Sequence, residues 1–200
     1  MAVKKIKRSY RKTRYILYKE TLIDFNEQFW SFLGSFVGIG LLAYFQSIHF
    51  SGNDAVYLIG SFGASSVLVY GIIQSPFSQP RNLVGGHLVS AFIGVTVHKL
   101  APDIIWIAAP LAVSLAIILM QITKTLHPPG GATALIAVIG SDKIKDLGYM
   151  YVVSPVLVGV LILLFTALIF NNMTPSRSYP SHNMYHKHIH KIRKRLIRKS

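Results

Sequence analysis

Residues Phe29–Ile48 read FWSFLGSFVGIGLLAYFQSI, twenty positions without a charged side chain. At about 1.5 Å of rise per residue, a helix of this length crosses the ~30 Å hydrocarbon layer of a bilayer. Working outward, further apolar runs span about 55–73, 83–97, 104–122, 128–140 and 149–170. Backbone polar groups in lipid must be bonded within their own segment, so every run is predicted to be helical. The fold class is therefore all-α, a polytopic transmembrane protein of about six segments. The third and fifth runs are short for an upright span, which predicts tilting, burial or entry from one side.

The charge pattern agrees with this reading. The chain is 52% hydrophobic with a mean hydropathy of +0.45, yet its formal net charge is +14. Of 21 Lys and Arg, eight lie between Lys4 and Lys19, eight between Arg177 and Lys199, and five in between. An oily body with two basic ends fits cytoplasmic flanks better than a nucleic-acid-binding surface, because apolar segments adjoin both ends. Both termini are thus expected in the cytoplasm, which requires an even number of crossings. Six crossings place Arg81 and Lys124 inside and Lys99, Lys143 and Lys145 outside; four crossings with two re-entrant segments are the alternative. Residues 1–28 form a basic, aromatic leader that is not followed by a signal-peptide cleavage pattern. Residues 29–172 form the transmembrane domain, and 173–200 a basic tail with His182, His186, His188 and His190. That tail matches no defined metal-site spacing, so no metal and no cofactor is expected. With no cysteine, thiol catalysis and Cys-ligated metals are excluded.

The body contains an internal repeat. Gly63-Ala64-Ser65-Ser66-Val67-Leu68 resembles Gly131-Ala132-Thr133-Ala134-Leu135-Ile136, and each stretch opens a short apolar helix between two longer segments. This predicts two related three-segment halves, each with one short Gly-rich helix. Paired, Gly- or Pro-interrupted short segments at matching positions point to a transport site.

No Asp or Glu falls within the apolar runs. Cation pathways and proton-coupled carriers generally keep a carboxylate at depth, so a cation route and carboxylate catalysis both lack their parts. The chain is not expected to be an enzyme. What remains at depth is backbone, hydroxyl and imidazole. In His127-Pro128-Pro129-Gly130-Gly131-Ala132-Thr133, prolines start a helix whose first amides lack intrahelical partners, and glycines permit close approach. Such a helix start carries partial positive charge and suits a small anion. Ser61, Gly63, Ser65 and Ser66 supply the equivalent in the first half, with Thr133 adding a hydroxyl in the second. The candidate substrate-binding set is Ser61, Gly63, Ser65, Ser66, His87, His127, Gly130, Gly131 and Thr133. His87 and His127 are donors or proton acceptors, and Arg81 and Lys124 would attract anions to the mouth. Small residues at four-residue spacing, Gly34/Gly38 and Gly86/Ser90/Gly94, allow close helix contacts within the chain or between subunits. Six short segments barely enclose a pathway, so a homo-oligomer is expected.

The stretch Leu126-His127-Pro128-Pro129-Gly130-Gly131-Ala132-Thr133-Ala134-Leu135 resembles the signature of the HPP family of integral membrane proteins. Residues 60–68 (GSFGASSVL) and 79–87 (QPRNLVGGH) fit the same family, and together the motifs cover roughly residues 30–170. Members resembling this chain in cyanobacteria and chloroplasts are associated with nitrite transport. The resemblance implies nitrite or a similar small anion as substrate, in a plasma (inner) membrane or an organelle inner envelope. Against this channel or transporter stand two alternatives: a membrane scaffold or assembly protein without a pathway, and a transporter of a neutral or cationic solute.

Overall fold

The computed structural model describes residues 25–49 and 59–181, and all regular structure in it is helical. Helix α1 spans Phe25–His49. Helix α2, Gly60–Ser66, runs directly into a π-helical turn, Val67–Gly71. A loop with a 3₁₀ turn at Pro76–Ser78 leads to α3, Pro80–Leu100, and then α4, Ile105–Ile122. The short α5, Pro128–Ile139, precedes a one-turn helix α6, Asp142–Asp146. A second π-helical stretch, Val152–Leu157, opens α7, Val158–Phe170. Among the described residues, four helices are long and apolar enough to cross a membrane: Phe25–Ile48, Pro80–Leu100, Ile105–Ile122 and Val152–Phe170. The leader's first 24 residues and the histidines of the tail lie outside the described residues.

Run length alone makes the third and fifth segments short, whereas the structure makes the second and fifth short, as the Gly-rich repeat predicts. The third is lengthened at its start by Pro80, whose fixed φ and missing N–H suit a first helical turn. At its end, His98 and Lys99 extend it where cations meet helix carbonyls favourably. The twelve residues of α5 rise about 18 Å, well short of a ~30 Å hydrocarbon layer.

Contacts fix the directions of the helices. Arg81 and Asn82 at the start of α3 donate to the carbonyls of Thr123 and Leu126 after α4 (2.8 and 2.7 Å), so α3 and α4 are antiparallel. Along α3, Gly86 faces His127 while Gly94 faces Ala134 and Ala137, so α5 runs parallel to α3. Thr96 near the end of α3 bonds the Tyr149 hydroxyl (3.2 Å), so the last span begins where α3 ends. On α1, Gly34 meets Phe170 and Gly38 meets Thr166, antiparallel to α7. On α2, Phe62 packs on Gly159, while the Val69 carbonyl accepts from Asn171 (2.9 Å), parallel to α7. The six segments therefore alternate in direction. Each half is long–short–long, with α1, α2 and α3 in one and α4, α5 and the last span in the other, and the two run in opposite senses.

Both small-residue stripes are used inside the chain. Gly86, Ser90 and Gly94 let α3 lie against α5, with a Cβ at Gly130 falling 2.7 Å from the Ser90 hydroxyl. Gly34 and Gly38 accept the ring of Tyr70, whose hydroxyl donates to the Leu163 carbonyl (3.1 Å) and also pairs with Thr166. Tyr70→Phe removes these bonds without opening space. It is expected to cost about 1 kcal/mol, read as a small fall in the apparent melting temperature in detergent. The outward faces of α1 and α4 are apolar, with Phe32, Phe36, Trp106 and Ile122 all more than 60% exposed. That is the surface of a protein whose solvent is lipid.

The chain beyond Phe170 also folds back on the body. Arg177 is buried and pairs with Glu27 at the start of α1 (2.8 Å). Its other nitrogen donates to the Tyr70 carbonyl (2.9 Å) and to Asn171 Oδ1 (2.7 Å). The Tyr179 hydroxyl donates to the Ser78 carbonyl (2.7 Å), and burial raises that phenol above its ordinary range, the Tyr70 phenol adding to the effect. The Ser181 amide donates to Gln79 Oε1 (2.8 Å). Residues 173–181, grouped by sequence with the basic tail, are thus packed against the domain.

Candidate functional site

A fully buried polar cluster lies where the two halves meet. Ser65, on the last turn of α2, projects its hydroxyl between two imidazoles: His87 Nε2 at 2.7 Å and His127 Nε2 at 2.9 Å. His87 comes from α3, about two turns into the helix, and its Nδ1 lies 2.7 Å from the Thr133 hydroxyl on α5. His127, at the N-cap of α5, has its Nδ1 2.8 Å from the carbonyl of Phe77 in the 3₁₀ turn. Ser65, His87, His127 and Thr133 all have zero solvent exposure. The two rings are 4.9 Å apart, and Phe62 stands edge-on to His87 at 5.5 Å.

Local sequence explains the placement. Gly86 has no side chain, and a Cβ there would strike His127 and come within 2.8 Å of the Thr125 carbonyl. The absence of one methyl therefore allows α3 and the start of α5 to close on each other and bring the two rings together. Pro128 and Pro129 fix the direction in which α5 leaves His127. Ser65 and Thr133 hold equivalent positions in the two repeats, Gly-Ala-Ser and Gly-Ala-Thr. They bond opposite nitrogens of the same ring, so the internal repeat is expressed as a clasp on His87.

Proton positions follow from the partners. A carbonyl only accepts, so His127 Nδ1 carries the hydrogen given to Phe77. With both rings neutral, His127 Nε2 accepts from the Ser65 hydroxyl, which in turn accepts from His87 Nε2–H. His87 Nδ1 then accepts from Thr133. Every hydrogen-bonding atom of the two rings is satisfied, as burial in an apolar body demands.

The other expected residues fall around this chain in different ways. Ser61 and Ser66 are buried on the same short helix, and neither hydroxyl has a hydrogen-bond partner. Ser66 lines a groove of about 450 Å³ between α1 and α2, together with Ser31, Ser35 and Gly63. Gly63 is exposed, and an added Cβ would meet nothing within 4 Å. Gly130 is buried beneath Ser90 and Met120, and Gly131 faces Val113. The helix starts offer fewer free amides than sequence suggests: Pro128 and Pro129 have none, and Gly130 N–H donates to the His127 carbonyl (2.8 Å). In the first half, Phe62 N–H donates to the Ile59 carbonyl (2.9 Å). The polar chemistry of this site is carried by side chains, with the backbone in support. Arg81 is exposed and donates to the Thr123 carbonyl past the end of α4, a C-terminal cap. Lys124 is exposed beside it with φ +57°.

One contributor is absent from the sequence analysis, and a second appears there only as part of a helix-packing stripe. The Phe77 carbonyl orients His127, and only the Pro- and Ser-rich stretch Ser75–Pro80 hinted at an ordered turn there. Gly86, expected to allow close helix contact, does so against His127 and thereby sets the ring-to-ring distance.

These features define a polytopic helical membrane protein built from two oppositely directed halves around a buried, uncharged polar cluster. The chain matches the family described as HPP, transmembrane region, over residues 20–180, and it belongs to that family. Two curated transmembrane proteins of Dictyostelium discoideum are each 45% identical to it over 163 residues. The match covers 78% of this chain and 56% and 51% of theirs, so the chain spans about half the length of the curated relatives it matches. No solved structure matches it.

Proposed function

We propose that this protein is a channel or transporter for a small inorganic anion, nitrite foremost by family resemblance, and that the Ser65–His87–His127–Thr133 chain is its site. The observation that carries the reading is the Ser65 hydroxyl held between two imidazoles deep in an apolar body. Polar side chains at membrane depth are expensive and tend to mark a solute's route. The described acids Glu27, Asp103, Asp142 and Asp146 all lie at helix ends, so the cluster holds hydrogen-bond donors without negative charge. Ser61 and Ser66 add unengaged hydroxyls on the same helix. Arg81 and Lys124 sit at the end of the bundle nearest His127, where they would concentrate anions. That end also gathers Glu27 and Arg177, and by the positive-inside rule it faces the cytoplasm of a plasma membrane or the equivalent side of an organelle inner envelope. With both small-residue stripes used internally, any homo-oligomer would form through the exposed aromatic faces of α1 or α4.

A second reading, a scaffold without a pathway, draws on the complete burial of the four side chains. Uptake of nitrite, nitrate, formate and chloride into proteoliposomes at two pH values separates the two. The native protein is expected to exceed empty liposomes for at least nitrite. His127→Ala should slow that uptake roughly tenfold, the factor for losing one buried hydrogen bond of 1–3 kcal/mol. Uptake of all four anions at the empty-liposome rate would overturn the transport reading.

A further inference from the structure

We infer that Ser65 is a proton bridge: an excess proton taken up by the histidine pair passes between His87 and His127 through the Ser65 hydroxyl. This rests on the site proposed above and adds an activity to it, the movement of a proton with the anion. Three geometric facts support it. The Ser65 oxygen lies within 2.9 Å of one nitrogen of each ring. The Phe77 carbonyl holds the hydrogen of neutral His127 on Nδ1 and so leaves Nε2 bare toward the serine. Thr133, at the outer nitrogen of His87, has a second acceptor within reach, the Pro129 carbonyl at 3.4 Å.

The transfer balances atom by atom. A proton added at His87 Nδ1 turns the Thr133 hydroxyl toward Pro129 and makes His87 an imidazolium. His87 Nε2–H then passes its proton to the Ser65 oxygen as the Ser65 hydroxyl proton passes to His127 Nε2. His87 is left neutral with its hydrogen on Nδ1. His127 becomes the imidazolium, still donating to Phe77 through Nδ1 and now to Ser65 through Nε2. One O–H bond breaks and one forms, so Ser65 is a hydroxyl before and after. Rings 4.9 Å apart disfavour a second charge, so the pair holds one proton at a time. The groups facing the rings are Phe62 and Ser65 of α2, Thr133 of α5 and the Phe77 carbonyl, with Tyr151 donating to the Thr133 carbonyl (3.1 Å). An anion arriving beside the pair would stabilise the imidazolium, which couples the two movements.

Two measurements test this. In proteoliposomes loaded with a pH-sensitive dye, nitrite and nitrate gradients are imposed on native protein, Ser65→Ala and Ser65→Thr, with empty liposomes subtracted for leakage of nitrous acid. The proton bridge predicts protons moving with the anion in native protein and Ser65→Thr, and a ratio of protons to anions at least about tenfold lower in Ser65→Ala. Equal ratios in native and Ser65→Ala, or anion flux without protons in native protein, overturn the bridge while leaving anion transport standing. If no anion moves, transport fails and a measurement without anions decides. Nitrogen-15 NMR of the histidine rings in bilayers should show hydrogen on Nδ1 of His127 and Nε2 of His87 at neutral pH. On acidification the pair should take one proton in exchange between both rings, with the exchange lost in Ser65→Ala. Exchange of the same rate in Ser65→Ala, or the opposite tautomers, overturns the bridge.

Discussion

Gly86→Ala is expected to lower the apparent melting temperature in detergent sharply and to disable the polar cluster, whereas Gly63→Ala leaves stability unchanged or raises it. At position 86 the added methyl strikes the His127 Cβ and sits 2.8 Å from the Thr125 carbonyl. Neither neighbour is the free end of a side chain; both belong to the segment that starts α5. The helices must separate, and overpacking of this kind costs about 1–3 kcal/mol. Separation also pulls His127 away from Ser65, so uptake should fall along with stability. At position 63 the methyl enters open space, and alanine is a better helix former than glycine by up to about 1 kcal/mol. Two chemically identical changes on neighbouring helices are thus expected to differ in sign. Thermal unfolding of both variants, alongside nitrite uptake, checks the pair.

Glu27→Ala is expected to destabilise the protein by up to about 3 kcal/mol, the lower end of the penalty for stripping the partner from a buried charge, because Glu27 itself is 31% exposed. Arg177 has a side chain only 1% exposed, and Glu27 supplies its counter-charge. The guanidinium keeps acceptors in Tyr70, Asn171 and Ser31 after the change, which places the effect at the low end. Because Arg177 also holds the carbonyl at the end of the π-helical turn after α2, loosening it frees the C-terminal end of the helix that carries Ser65. Arg177→Met removes the buried charge itself and leaves Glu27, whose side chain is 31% exposed, to be solvated by water. It is expected to cost less than Glu27→Ala, and the order of the two melting temperatures tests the account.

Much of the architecture was legible in the sequence because the bilayer leaves few choices. Six uncharged runs, basic ends and the paired Gly-Ala-Ser and Gly-Ala-Thr stretches were enough for a helical protein of two related halves. The histidines, Ser65 and Thr133 stand out in the sequence because polar groups are conspicuous in an apolar setting. Their connection does not. Periodicity places residues along a helix, and nothing in it reveals that Ser65 and Thr133 would grip one ring from both sides. The expectation of amide donors at the start of α5 overlooked Gly130, whose N–H turns back to the His127 carbonyl. Arg177 was counted with a solvated tail because its sequence neighbours are polar; its burial depends on Glu27, 150 positions away.

The central claim is that the buried hydroxyl–imidazole cluster lies on a solute's route and is more than a knot joining two halves. The chain has no cysteine, so Ser65→Cys gives a single thiol at the heart of the cluster. Lys124→Cys and Asp103→Cys, exposed at opposite ends of the bundle, serve as controls. The measurement is the rate at which a membrane-impermeant thiol reagent modifies Ser65→Cys in proteoliposomes, with and without a nitrite gradient. A route through the cluster predicts modification from at least one side, at a rate that changes when nitrite is present. If Ser65→Cys stays unmodified from both sides under conditions that fully label the two controls, the cluster is sealed and the transport site is not there.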